Sequence, residues 1–169
     1  MFEIFFIFLN FAFPLILIFM MISFFTGAPY LPTPHKRVKE MIELADIKRG
    51  DIIIDLGSGD GRILIEAARN GAIAHGFEIN PFLAVLSKFK AVMSGVSKSV
   101  HIHVGDYRRH ALPKANTVFL FGITSHMKVI EKKLIEDLEP KTKIISYTFT
   151  FPTLKIKKKT NTNIYIYSL

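Results

Sequence analysis

The sequence has no cysteine. That excludes disulfides, thiolate metal sites, a cysteine nucleophile and the cysteine-dependent chemistry on cytosine C5. No lysine or arginine precedes the first apolar stretch, and Glu3 stands where a secretory signal peptide carries its basic region, so a cleaved signal is disfavoured. No internal repeat and no low-complexity tract is present apart from Lys155–Lys159, a KIKKK run that reads as lysine protection of an edge strand. Acidic residues are in deficit, 14 Asp and Glu against 22 Lys and Arg, for a net charge of +8. This excess suits nucleic acid, an anionic membrane surface or a solvated face. The six histidines are scattered, with only His101 and His103 paired on one strand face, so no metal site is expected.

What is abundant is unevenly placed. About half of the 16 phenylalanines fall in the first 25 positions. Residues 2–25 are apolar except for Glu3, Asn10, Pro14 and Ser23, and about 20 such residues suffice to cross a hydrocarbon core as a helix. Residues 1–26 are therefore expected to form one transmembrane helix that contacts the lipid bilayer through residues 2–25. Lys36, Arg37 and Lys39 follow the span, which orients the remainder to the cytoplasmic side, or to the matrix side in a mitochondrion. Residues 27–34, with three prolines and a glycine among residues 26–34, form a Pro-rich linker or a lid.

Residues 35–169 have room for one α/β domain. Apolar spacing predicts helices over 35–46, 62–70, 80–95 and 126–138, with Asn80 as cap and Pro81 at the first position of the third. Phe82, Val85, Phe89 and Met93 are its expected buried stripe. Strands are expected at 52–54, 72–78, 100–104, 117–121 and 144–149, followed by a hairpin of 154–158 and 164–167. Strands alternating with helices, then two adjacent strands, indicate a mostly parallel sheet with an antiparallel edge.

The chemistry gathers at IIIDLGSGDGR, residues 52–62. An apolar strand breaks into Asp55 and then Gly57, Gly59 and Gly61, which allow a tight turn and close approach of a ligand to the backbone. A dinucleotide fingerprint needs a glycine where Arg62 stands, and a phosphate-binding P-loop needs a Gly-Lys-Ser/Thr ending that is missing. The remaining pattern is D-x-G-x-G-x-G with an acid, Glu78, ending the second strand. Glu78 can accept both hydroxyls of a ribose, Asp106 after the third strand can accept from an adenine amino group, and the small loop suits a tail without phosphate. Asp55, Gly57, Ser58, Gly59, Glu78, Asn80, Asp106 and Tyr107 form the candidate cofactor set. Tyr30, Thr33, Tyr147 and Phe149 are candidates for an apolar substrate channel, with Tyr107 another aromatic that could line it. Asn80-Pro81-Phe82 superficially matches an amino-group methylation motif, but its place after the second strand makes it a helix cap.

The chain resembles the seven-strand, Rossmann-like methyltransferases that use S-adenosylmethionine. Within that class PYLPTP (29–34), DLGSGDGR (55–62), EINP (78–81), VFLFGI (118–123) and EKKL (131–134) resemble small archaeal and bacterial protein lysine methyltransferases. They also resemble the mitochondrial enzymes that modify the ATP synthase C-subunit and the adenine nucleotide translocase. The resemblance implies S-adenosylmethionine as cofactor and methyl transfer to a lysine of a protein in or near a membrane, with no nucleic acid partner. It assigns no catalytic base. A lipid or quinone acceptor, and a cofactor-binding module without turnover, are the alternatives.

Overall fold

The computed structural model describes residues 3, 6, 7, 9–11, 13, 14, 18, 30–122 and 124–169. The chain divides into two compact units, Met1–Leu31 and Pro32–Leu169. In the first, the described residues from Glu3 to Ile18 are helical, and Asn10 Nδ2 donates to the Phe6 carbonyl at 2.7 Å. Among the described residues no helix is long and apolar enough to cross a membrane. The span expected over 2–25, and residues 27–29 of the expected linker, lie largely outside the described residues.

The second unit carries seven strands and four helices among the described residues. The strands are β1 (Ile52–Leu56), β2 (Ile73–Glu78), β3 (Val100–Val104), β4 (Thr117–Leu120), β5 (Lys143–Tyr147), β6 (Lys158–Lys159) and β7 (Ile164–Ser168). The helices are α1 (His35–Ala45), α2 (Arg62–Arg69), α3 (Pro81–Met93) and α4 (Met127–Asp137). They form one seven-stranded sheet in the order β3-β2-β1-β4-β5-β7-β6. The five strands from β3 to β5 are parallel, and β7 runs antiparallel between β5 and β6.

Alternation along each strand sorts the core into two layers. Ile53, Phe119, Ile145 and Ile164 face one side, where α1, α2 and Ala91 of α3 pack. Ile54, Leu56, Val118, Leu120, Ile144 and Tyr167 face the other, against Met127, Ile130 and Leu134 of α4. Burial on both faces explains the apolar runs 52–54 of β1 and 118–120 of β4. The chain starts at β1 and works outward in both directions, so the sheet's topological switch lies between β1 and β4, and the crevice beyond their C-terminal ends is where open α/β sheets take ligands.

Two expectations are corrected. The outward hairpin strand is only Lys158–Lys159, not 154–158. The reason is Glu131, buried on α4, whose carboxylate accepts from the backbone N–H groups of Thr153 and Leu154 at 2.9 and 2.7 Å. Those donors are thereby taken out of any ladder. The lysines that remain in β6 do sit on the sheet's edge.

The second correction concerns α3. Phe82, Val85, Phe89 and Met93 are exposed, and the buried residues are Leu83, Ala84, Ser87 and Ala91. α3 approaches the glycine loop so closely that a Cβ built on Gly61 would stand 2.0 Å from Ser87 Oγ. Only small side chains fit a face held at that distance.

Candidate active site

Three strand ends meet at Glu78. The loop after β1 folds back onto the end of β2: Gly57 N and Ser58 N both donate to the Phe77 carbonyl, at 2.9 and 3.1 Å. Gly57 and Gly61 sit at φ 78°, in the left-handed region that favours glycine. Gly59 N then donates to Glu78 Oε2 at 2.8 Å, and Asn80 N donates to Oε1, also at 2.8 Å. The Glu78 carbonyl accepts from Gly105 N at 2.8 Å, which ties in the end of β3. One buried carboxylate thus holds the glycine loop and the start of α3, and its backbone holds the turn before Asp106.

Asn80 caps α3 as its residue type predicts, Oδ1 accepting from Phe82 N at 3.0 Å and Leu83 N at 3.4 Å. Its other amide atom, Nδ2, is buried with no hydrogen-bond partner, as is Ser58 Oγ. Asp55, at the end of β1, is 3% exposed. Burial pushes its carboxyl up to about 8, and the neighbouring Glu78 and Asp60 carboxylates add to the shift. The site therefore offers two buried carboxyl groups and free donors, and a Cβ on Gly57 would meet nothing within 4 Å. Phosphate finds no donor in Glu78, whose two oxygens both accept from backbone N–H groups. A ligand with cationic groups and hydroxyls, such as the methionine ammonium, sulfonium and ribose of S-adenosylmethionine, matches this donor and acceptor set.

Asp60 behaves differently. Burial opposes its ionisation, yet Arg62 and Lys90 outweigh that and hold its carboxyl well below the usual carboxylate range. Arg62 Nε and Nη2 grip the two carboxylate oxygens at 2.8 and 2.9 Å, while its Nη1 donates to the Thr33 carbonyl at 2.7 Å. The position that lacks a third glycine thus belongs to an arginine that links the loop to the PYLPTP segment, where Thr33 is buried. Asp106 is present beside the loop, but both its oxygens accept from Arg108. That contact lowers its carboxyl. Tyr107 is half-buried, and burial raises its hydroxyl.

At the neighbouring strand ends, Phe121 follows β4 and lies 4.9 Å from Tyr147 and 6.0 Å from Phe149, ring centre to ring centre. Phe149 N donates to the Tyr147 carbonyl at 2.9 Å across Thr148, whose φ is 72°. This is a γ-turn on a β-branched residue, a costly backbone that persists only where its surroundings impose it. Thr148 N donates to the Asn163 carbonyl at 2.8 Å and Ser146 Oγ donates to the Phe149 carbonyl, which hold it in place.

The structure brings together Asp55, Gly57, Ser58, Gly59, Glu78, Asn80 and Asp106 around one edge, and pairs Tyr147 with Phe149. Tyr30 belongs to the first unit. Phe121, Lys90 and Ser87 are not legible as site residues in the sequence. Phe121 stands inside the VFLFGI stretch, whereas nothing local marks Lys90 or Ser87 as neighbours of a loop some 26–30 residues upstream.

Comparison with known proteins agrees with this geometry. The family described as the ANTKMT methyltransferase domain matches residues 55–158. The human lysine N-methyltransferase of the ATP synthase C-subunit is 35% identical over 124 residues, covering 73% of this chain and 53% of that protein. The chain spans about half the length of such curated relatives. A protein-lysine N-methyltransferase of Saccharolobus islandicus is 34% identical over 75% of this chain and 80% of its own. A Salinibacter ruber structure, described as an RNA methyltransferase in complex with S-adenosyl-L-homocysteine, superposes with a TM-score of 0.79 at 34% identity, covering 82% of this chain and 93% of that one.

Proposed function

The chain belongs to the ANTKMT methyltransferase domain family, and on that premise we propose that it transfers a methyl group from S-adenosylmethionine to a lysine side chain of a protein in or beside a membrane. The observation that carries the proposal is the buried pair Asp55 and Glu78, beside an unpartnered Asn80 amide and Ser58 hydroxyl, at the ends of adjacent strands. When bound, S-adenosylmethionine supplies a methyl group on a positively charged sulfur, which an amine takes by in-line displacement.

The protein's part is positioning and desolvation. Asp55 faces the cationic tail, and a positive charge there favours its ionised form. Gly57, Ser58 and Gly59 would present backbone and hydroxyl to the tail, Glu78 would accept from the ribose, and Asn80 would donate from its free Nδ2. Asp106 and Tyr107 would hold the base, Asp106 once a base amino group shares its oxygens with Arg108. Phe121, Tyr147 and Phe149 form an apolar approach that favours the neutral, attacking amine over the ammonium, because charged amines are penalised where water is excluded. Thr33, pinned by Arg62, belongs to the segment that would cover this approach.

The membrane part of the proposal rests on residues 2–25, whose composition suits a single span, and on Lys36, Arg37 and Lys39 after it, which favour the cytoplasmic or matrix side. Relatives named for the ATP synthase C-subunit and for the adenine nucleotide translocase are consistent with a membrane protein as acceptor. An RNA acceptor is the second reading, favoured by the description of the Salinibacter ruber protein and by the net charge of +8.

One experiment separates these readings. The full chain is incubated with methyl-labelled S-adenosylmethionine and a membrane fraction, and label is followed into protein, extracted lipid and RNA. Label on lysine in a protein band is the expected result. Label in RNA would establish the second reading, label soluble in organic solvent a lipid or quinone acceptor, and cofactor binding without any labelled product a binding module.

A further inference from the structure

Six large apolar side chains of α3 have no place in the core. Phe82, Val85, Leu86, Phe89, Val92 and Met93 recur at helical spacing and form one stripe, with Val85, Phe89 and Met93 at 67%, 61% and 72% exposure. Stripes of this kind on a soluble surface mark contact sites. Close packing at Gly61 and Ser87 commits the small face of the helix to the sheet, so the stripe is turned away from the core whatever covers it.

We propose that this face of α3 lies in the interface of an anionic lipid bilayer, as a second membrane contact beyond residues 2–25. The charges suit that partner. Lys88 flanks the stripe on one edge by helical position, where a long basic side chain reaches past apolar surface to headgroups, while Lys90 on the other edge is held by Asp60. A cleft of about 320 Å³ beside Phe89 and Met93 is lined by Lys39, Arg62, Arg69 and Lys90 against Asp60 and Glu66, which leaves an excess of basic charge there.

The path of the chain suits it too. The apolar run ends at Phe25, ten residues before His35. A span over residues 2–25 would tether the basic start of α1 by a short link. Antiparallel pairing of two copies through the same face would set Lys88 of each against that of the other, which disfavours a self-complementary contact. With its stripe in the interface, α3 keeps Asn80 and the loop that it caps close to the membrane surface.

This inference rests on the membrane reading of residues 2–25 and not on methyl transfer, and its test needs no turnover. Because the chain has no cysteine, a single introduced cysteine can carry a fluorescent label at a chosen site. The full chain is reconstituted in phosphatidylcholine vesicles, with and without phosphatidylglycerol, that contain brominated lipids. Labels are placed by Val85→Cys and Phe89→Cys on the stripe and by Lys132→Cys on α4, which packs on the opposite face of the sheet.

Quenching by lipid bromine is expected at 85 and 89, about threefold or more above that at 132, and stronger with phosphatidylglycerol at low salt than at high salt. Equal quenching at all three positions overturns the proposal. So does self-quenching between labelled copies without lipid quenching, which assigns the face to a second copy. Protection of the stripe labels with neither effect assigns it to the chain's own N-terminal segment and overturns it as well. Thermal melting of each labelled variant verifies the fold, and a methylation assay that fails while the quenching pattern holds faults the enzymatic reading alone.

Discussion

Helices α2 and α3 lie on the same face of the sheet, α2 beginning at the glycine loop and α3 after β2 beside it, yet they use their apolar residues in opposite ways. α2 buries its large side chains, Ile63, Leu64 and Ile65, in the core. α3 buries Leu83 with the small Ala84, Ser87 and Ala91, and leaves six larger ones outside. The difference follows from what each helix must touch. α2 packs its Leu64 onto bare backbone at Gly76, where a Cβ would stand 2.4 Å from Leu64 Cδ1. α3 must instead press Ser87 against the loop at Gly61, and a large side chain there would push the loop off Glu78. Closeness to the site, not hydrophobicity, decides which face of α3 is inside.

The sharpest way to break that comparison is Gly61→Ala. The new methyl collides with Ser87 and the position has φ 78°, so a loss of about 3 kcal/mol in stability and of measurable cofactor binding is expected. Chemical denaturation and calorimetry check both, and an unchanged denaturation midpoint would sink the close-packing account.

Asp55→Asn is expected next in size. Asp55 titrates near 8 in the folded chain and near 4 when unfolded, so between those values the folded state holds a proton that the unfolded chain has lost. Wild-type stability should accordingly fall as pH rises from about 4 to about 8, and level off above. The amide removes that dependence. At pH 8 its melting temperature should exceed that of wild type, while affinity for S-adenosylmethionine drops about tenfold or more. A variant that melts lower and still binds would contradict the role given to the buried charge.

Thr148→Gly relieves the left-handed backbone between Tyr147 and Phe149, for an expected gain of about 0.5–1 kcal/mol. It should raise the KM for the protein acceptor more than it changes kcat, since the turn orients the two rings rather than the methyl donor. Equal loss in both constants would place the turn in the reacting centre instead.

Smallest of all, Phe89→Ala is expected to alter stability in solution by no more than about 0.5 kcal/mol, the size usual for an exposed position. A large loss in urea unfolding would mean that α3 packs inward like α2.

The element list is legible from local signals. Asn80-Pro81 caps α3, alternation marks β3, and the apolar run before Asp55 marks β1, because each depends on neighbours in sequence. The acids at the strand ends are legible as well, since parallel strands present their C-terminal ends on one edge. Two kinds of feature are not. The strand expected at 154–158 does not form there because Glu131, on a helix, takes up the backbone donors of Thr153 and Leu154. The stripe of α3 points outward against expectation because apolar spacing reports a face without saying what that face meets.

The sequence by itself thus determined the α/β class, the glycine loop, and the carboxylates Asp55, Glu78 and Asp106 that mark a phosphate-free nucleoside cofactor. Those features are written in residue types a few positions apart. Only the tertiary structure decided that Glu78 holds Gly59 and Asn80 together, that Arg62 and Lys90 converge on Asp60, and that α3 turns its large side chains outward. Each of these is a contact between distant segments, set by packing space and by the need to pair buried polar groups, and no local pattern encodes it.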